Sequence, residues 1–264
     1  MKKTIFITVR TGSSRLPQKA LLEINGKKTI QFVIERAKKT EADLIVLCTT
    51  TLKEDEVLCN IAKQNGIKYF QGSVEDKLIR WKDAANKFNV DFFVEMDGDD
   101  LFLEPDLVND AFSLYCDDYF GDSRNLDCGL DFLQCSDSLI VGCFDCLIKK
   151  SALDKVCEIK DTNDTEMIWP YFLETNLFKT KIYDTGGGYD SWHNQQIRMT
   201  LDYKEDLEFF TTVDKYFQNQ NKTEYNLDDI VSLCEQHPEI PQINWFRTKE
   251  WKENQIKKTK LLIK

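Results

Sequence analysis

Residues 4–24 read TIFITVRTGSSRLPQKALLEI, a β-branched strand (Thr4–Val9) running straight into a loop of two arginines, a lysine, Gly12, Ser13, Ser14 and Pro17. The chain as a whole is acidic, with 45 Asp and Glu against 35 Lys and Arg, a net charge of −10. A cationic loop at the end of the first strand therefore runs against its surroundings. Gly12 and Ser13 can turn backbone N–H groups toward an anion. Arg10 and Arg15 offer planar forks for phosphate oxygens, and Lys19 offers a point charge. Pro17 stiffens the loop before the chain turns back. A phosphate group suits this loop; a solvated cationic turn is the alternative. Neither the P-loop pattern G-x-x-x-x-G-K-[ST] nor the dinucleotide pattern G-x-G-x-x-G is present.

Outward from this loop, strand and helix patterns alternate. Apolar spacing predicts a helix over Thr29–Lys39, a strand over Asp43–Cys48, and a helix over Glu54–Gln64 closed by Asn65-Gly66. A short strand at Ile67–Phe70, a helix at Glu75–Phe88 and a strand at Asp91–Met96 follow. Near-continuous apolar strands joined by helices predict an α/β fold, with a mostly parallel central sheet covered by helices on both faces. Right-handed crossovers then bring the loops after the strands to one edge. Four polar loops are expected to converge there: Arg10–Lys19, TTTLKED, GSVED and DGDDLFLEP. The second half is less regular. Residues 122–150 read as a β excursion, 151–176 as helical, Lys179–Tyr183 as a strand, GGGYDSWHNQ as a flexible loop, and QIRMTLDYKEDLEFF as a strand entering a helix. The expected organisation is a 1–210 domain, with a 122–185 excursion for substrate or dimerisation, and a 211–264 helical extension.

Composition narrows the function. A hydrophobic content of 42%, with 17 Phe and five Trp, supports a real core. No apolar run approaches the ~20 residues needed to cross a bilayer. MKKTIFITVR lacks the long apolar segment of a signal peptide, so a cytoplasmic protein with no membrane partner is expected. The acidic balance argues against nucleic acid, though not against one nucleotide. Nine cysteines, an odd number, fit reduced thiols better than a disulfide framework. Cys128, Cys135, Cys143 and Cys146 fall in one short stretch ending in a C-x-x-C, a candidate for zinc, but a second C-x-x-C is missing and SLIVGCFDCLIKK reads more simply as an apolar strand with Cys as a small hydrophobe. Asp97, Asp99 and Asp100 crowd the end of a strand, where carboxylates repel unless a cation or protons intervene. Mg2+, which takes one or two carboxylates plus phosphate oxygens, suits them; a solvated turn is the alternative. His193 and His237 read as surface residues, and the lysine-rich tail as a solvated helix.

Three segments together resemble one family. The loop R-x-G-S-S-R-L-P-x-K-x-L, the stretch FQGSVEDKLIRWKDAANKFNVDFFVEMDGDDLFLEPDLV (residues 70–108) and RMTLDYKEDLEFF (residues 198–210) are similar, in this order, to the cytidylyltransferases that make CMP-activated sugars. That family includes CMP-sialic acid and CMP-Kdo synthetases and SpsF-type spore-coat polysaccharide proteins. The resemblance implies a Rossmann-like nucleotide-diphospho-sugar transferase fold and transfer of CMP from CTP to an acceptor with release of pyrophosphate. The acceptor would be a sugar acid or a phosphate- or phosphonate-bearing small molecule. It further implies Mg2+ on Asp99 and Asp202, catalytic roles for Arg15, Lys19, Asp99 and Asp202, nucleotide contacts from Arg10, Thr11, Gly12, Ser13, Ser73 and Arg80, and a homodimer. Two departures stand out. Asp100–Leu101 replaces the family's proline or Glu–Pro, and VGCFDC replaces the P-D-G-x-D-x-E segment of the SpsF branch, where the acceptor is expected. Two other readings share some features. A D-x-D glycosyltransferase would use Asp97 and Asp99 but has no need of the cationic loop, and an idle scaffold homologue would have no need of Lys19, Asp99 and Asp202.

Overall fold

The structure is a computed structural model that describes residues 1–120, 129–185 and 189–264. Its first element, β1 (Thr4–Thr8), is buried along its whole length, which is why it can serve as a central strand. A two-residue hairpin, β2 (Glu23–Ile24) and β3 (Lys27–Lys28), leads into α1 (Thr29–Lys38). The alternation then continues as β4 (Leu44–Thr50), α2 (Glu56–Gln64), β5 (Lys68–Gly72), α3 (Lys77–Phe88), β6 (Phe92–Asp97) and α4 (Pro105–Phe120). The second half adds β7 (Phe132–Cys135), β8 (Cys146–Lys149), α5 (Lys150–Ile159), α6 (Trp169–Leu173), β9 (Thr180–Tyr183), α7 (Lys204–Asn219), α8 (Leu227–Gln236), α9 (Glu239–Trp245) and α10 (Arg247–Lys258).

Seven strands form one sheet in the order β5-β4-β1-β6-β8-β7-β9. The pairs β1–β4, β1–β6, β4–β5 and β7–β9 are parallel, while β6–β8 and β7–β8 are antiparallel. The mostly parallel α/β sheet read from the sequence is therefore present. Strand alternation separates two cores, one on each face. Ile5, Ile7, Phe92, Val94 and Met96 pack in a cluster that includes residues of α1, α2, α4, α7 and α8. Phe6, Val46 and Phe93 pack with Trp81 and Leu78 of α3 and Leu153 and Val156 of α5.

Some details differ from the sequence expectation. The second strand runs two residues further, to Thr50, and the helix after it begins as a 3-10 turn, Lys53–Asp55. Helix α4 follows the acidic loop directly, with Pro105 as its first residue, a position where proline costs no hydrogen bond. Residues 196–202 do not join the sheet as a strand. Their amides are used elsewhere, Met199 N donating to Val141 O (2.9 Å) and Leu201 N to Asp99 O (2.9 Å). The segment is thus threaded between two site loops. Helix α7 runs through residue 210, so the expected division there falls inside a helix.

Candidate active site

A crevice of about 810 Å³ opens at the C-terminal ends of β1 and β6, lined by Arg10, Gly12, Ser13, Ser14, Arg15 and Lys19 from the first loop. The acidic loop supplies Asp97, Gly98, Asp99 and Asp100 to the same crevice. Gly98 is what lets the two loops meet. A Cβ there would lie 2.6 Å from Val9 Cβ and 3.0 Å from Thr8 O, and its amide donates to Thr8 O at 2.8 Å. Val74 and Glu75 represent the third loop. The loop after β4 reaches the site only indirectly. Its Asp55 accepts hydrogen bonds at 2.7 Å from both the amide and the hydroxyl of Thr11, and another from the Thr50 hydroxyl. Thr11 is therefore a buried anchor that fixes the cationic loop, turned away from the crevice where a nucleotide contact was expected.

At the centre is a charged knot. The Lys19 ammonium donates to Asp99 Oδ2 and, at 3.1 Å, to Asp202 Oδ1. Arg15 donates to Asp202 Oδ1 at 2.5 Å. Asp202 also faces Arg198, which is fully buried, at 3.3 Å. Asp206 holds this arrangement from behind, taking Arg198 Nε at 3.0 Å, the Asp202 amide at 2.8 Å, the Tyr203 amide at 2.9 Å and Asn244 Nδ2 at 2.9 Å. Thus Arg15, Lys19, Asp99 and Asp202, separated by up to 187 residues, meet at one point. Ser73 and Arg80 are linked to each other, Arg80 Nη1 donating to Ser73 O at 2.7 Å. Arg80 lines the main crevice, whereas Ser73 lines a smaller neighbouring one.

The two aspartates at Lys19 differ in their electrostatics. Burial pushes the Asp99 carboxyl up to about 6, against the pull of Lys19 and with Asp97 and Asp202 adding repulsion. Burial acts on Asp202 the same way, but Lys19 and Arg15 overcome it and hold that carboxyl down at about 2. Burial alone would depress the Lys19 ammonium; the charges of Asp99 and Asp202 reverse this and raise it. Asp100 is also raised, first by burial and then by the Asp145 charge. Its Oδ1 has no hydrogen-bond partner among the described residues.

Several contributors were not singled out from the sequence. The tail is not simply a solvated helix, because Trp251, Lys252, Gln255, Ile256 and Lys258 of α10 line the crevice. Trp251 stacks at 5.1 Å from the Arg198 guanidinium, and Lys258 pairs with Glu166 at 2.8 Å. Lys77, Glu95 and Asp145 line it too. Among the four cysteines considered for zinc, Cys143 and Cys146 are buried thiols with raised pKa values, Cys143 through its contact with Cys135 and burial, and Cys146 through burial. Cys135 is a free thiol and Cys128 lies outside the described residues. His193 is not a free surface residue, since its ring bridges the hydroxyls of Ser138 (2.8 Å) and Thr185 (2.9 Å).

Residues 4–254 match the profile of the cytidylyltransferases. The chain belongs to the cytidylyltransferase family. Members of this family are nucleotidyltransferases. Among curated relatives, an uncharacterized Methanocaldococcus jannaschii protein is 26% identical over 96% of this chain and 99% of its own. The Bacillus subtilis spore coat polysaccharide biosynthesis protein SpsF is 20% identical over 88% and 94%. Among solved structures, a cytidylyltransferase from Leptospira borgpetersenii superposes with a TM-score of 0.79 at 26% identity, covering 92% of this chain and 97% of that one. Two more distant structures share the fold. One is a CMP-Kdo synthetase complexed with CTP (TM-score 0.59, 17% identity, coverage 82% and 99%). The other is a Mycobacterium tuberculosis protein in complex with manganese (TM-score 0.55, 11% identity, coverage 80% and 99%). The cytidylyltransferase fold thus agrees with the sheet and crevice described above.

Proposed function

We propose that this cytidylyltransferase transfers CMP from CTP to a small acceptor bearing a sugar-acid hydroxyl or a phosphate or phosphonate oxygen, in the assembly of a surface glycan. One observation carries this reading: the cationic loop and the two acidic segments meet at Lys19, at the edge of the sheet where such folds hold nucleotides. In the reaction, the acceptor oxygen forms a bond to the α-phosphorus of CTP as the bond to the bridging oxygen breaks. Pyrophosphate leaves, and a hydroxyl acceptor gives its proton to water. Arg15 and Lys19 hold the β- and γ-phosphates and neutralise the charge that grows on the leaving group. Gly12 and Ser13 bring backbone N–H groups to the same phosphates, and Arg10 and Arg80 line the route to them. No covalent intermediate on the protein is required, since positioning and charge stabilisation suffice.

The residues present fit a divalent metal ion. Asp99 and Asp202 already converge on a single cation, the Lys19 ammonium, and the orphaned Asp100 Oδ1 lies on the same loop. Mg2+ held by Asp99 and Asp202 would polarise the α-phosphate and acidify the attacking oxygen. With that ion held there, Lys19 would be free to give up the two carboxylates for the triphosphate. The test is pyrophosphate release with each of the four nucleoside triphosphates against sugar acids, sugar phosphates and phosphonates, alongside melting curves with each triphosphate and Mg2+. CTP should give the largest thermal shift, because a ligand of the native state raises its stability by mass action. Equal shifts with all four, or no release with CTP across the panel, would remove the proposal.

A further inference from the structure

We propose that Glu95, Asp97 and Asp145 form a second divalent-cation site on the wall of the crevice, separate from Asp99 and Asp202. One carboxylate oxygen from each of the three lies within 4.8 Å of the others. Metal–oxygen distances of roughly 2.0–2.6 Å place ligands up to about 5 Å apart across an ion, so these oxygens are already spaced to share one.

The strands build this cluster. Glu95 and Asp97 are two residues apart on β6, so both point to the sheet face that carries Phe93. Strand β8 pairs antiparallel with β6, matching Cys146 to Glu95, which brings the preceding residue, Asp145, alongside. Asp145 Oδ2 then accepts the Asp97 amide at 2.9 Å and is fixed in place. All three line the crevice and are within reach of a small ion entering it.

A second observation points to a ligand. Glu95 is 3% exposed, yet its Oε1 has no hydrogen-bond partner among the described residues. A buried carboxylate oxygen without a partner carries an uncompensated desolvation cost, and such atoms call for an ion or another ligand. Lys77, which also lines the crevice, is a cation whose charge acts on both Glu95 and Asp97. Burial and the neighbouring carboxylates hold Glu95 and Asp145 above the usual carboxylate range, and a cation entering between the three oxygens would displace those protons. The all-oxygen ligand set suits a hard ion such as Mg2+ or Mn2+ and not zinc in a thiolate site.

The site stands independently of the nucleotide chemistry, so it is tested without nucleotide. Mn2+ is titrated into the full-length, nucleotide-free protein by electron paramagnetic resonance and calorimetry, for the wild type and for Glu95→Gln, Asp145→Asn and Asp99→Asn. Saturable Mn2+ binding is expected in the wild type. It should weaken about ten- to a hundredfold in Glu95→Gln and Asp145→Asn, at least the loss that follows from altering a group that merely supports a metal ligand. Asp99→Asn should retain the Mn2+ binding that depends on Glu95 and Asp145, whatever it loses at the Asp99 and Asp202 carboxylates. Circular dichroism confirms folding of each variant, and either Glu95→Gln or Asp145→Asn suffices if the other fails to fold. Absence of saturable binding, unchanged binding in the folded Glu95 or Asp145 variant, or loss of all binding in Asp99→Asn overturns the assignment.

Discussion

Asp99 and Asp202 share a cation, but their environments predict opposite effects on folding when each becomes asparagine. Asp202 is 4% exposed and bonded to Arg15 and Lys19, with Arg198 at 3.3 Å. Its carboxyl is held down at about 2, so ionised Asp202 contributes stability above the unfolded aspartate value of ~3.9, and that stability is lost only as pH falls toward 2. At pH 8 the asparagine variant forgoes all of it. Removing one partner of a buried ion pair costs about 3–5 kcal/mol when the other charge is stranded. Here the loss is softened. The Arg15 and Lys19 side chains are 27% and 18% exposed and can turn to water, Lys19 keeps Asp99, and Arg198 keeps Asp206. About 2 kcal/mol is therefore expected, a fall in Tm of roughly 5 °C for a chain of this size.

Asp99 has the opposite sign. Its carboxyl is pushed up to about 6, so the folded state holds the proton more tightly than the unfolded chain does. Stability then declines as pH rises from ~4 to about 6 and stays lower above that. Asp99→Asn removes this loss while Lys19 keeps Asp202 as its partner, so Tm at pH 8 should stay level or rise by a few degrees. Melting curves of both variants at pH 8 with chelator and without nucleotide make the comparison, and pyrophosphate release is measured beside them. Both variants should lose turnover, since both aspartates are proposed to hold the divalent ion at the α-phosphate. Equal Tm losses, or an unchanged Tm in Asp202→Asn, would refute the charge arrangement described here.

Three further outcomes are expected. Gly142→Ala should lower Tm by more than ~1 kcal/mol equivalent, because φ is +84° and an added Cβ would lie 2.3 Å from Met199 O; a melt within error of wild type would show that the 142 and 199 backbones can part. Asp55, whose carboxyl is lowered because the hydroxyls of Thr50 and Thr11 and the Thr11 amide outweigh burial, gives stability present above the unfolded value and lost as pH falls through its own. Asp55→Asn should therefore flatten the acid limb of the wild-type Tm–pH curve below pH 4, and an identical limb would show that Asp55 does not anchor the loop. Lys258→Glu, which turns the 2.8 Å pair with Glu166 into a repulsion at the crevice mouth, should raise the acceptor KM several-fold with a stability change within about 0.5 kcal/mol; an unchanged KM would place α10 outside acceptor binding.

The parts of this fold that were legible in the sequence are those whose burial is set locally. Strands β1, β4 and β6 are near-continuous apolar runs because helices cover both faces, and such runs are visible in any window. Helix α4 carries Leu107, Val108, Ala111, Phe112 and Tyr115 at helical spacing in the core, a signal of the same local kind. Residues 196–202 mislead for a physical reason. Ile197, Arg198, Met199, Thr200, Leu201 and Asp202 are all buried, as a central strand would be, but their backbone partners are site loops, with a single isolated bridge from Arg198 to Val141 and no ladder. The loop-borne charges of the site were legible because Arg15, Lys19 and Asp99 are anomalies beside strand ends. The placement of α10 was not, since its lysines suit solvent, and only tertiary packing turns Trp251 and Lys258 toward the crevice.

Glu95 is the instructive intermediate case. A carboxylate between Val94 and Met96, in a strand buried on both faces, breaks the local rule that the rest of β6 obeys. Burying that charge costs several kcal/mol unless something pairs with it. The sequence shows the violation but not what offsets it, because the Lys77 ammonium arrives from α3. The same holds for Lys19, whose two carboxylate partners are 80 and 183 residues away. Charge placed where local burial forbids it thus marks this site in the sequence, and the sheet topology determines which charges meet.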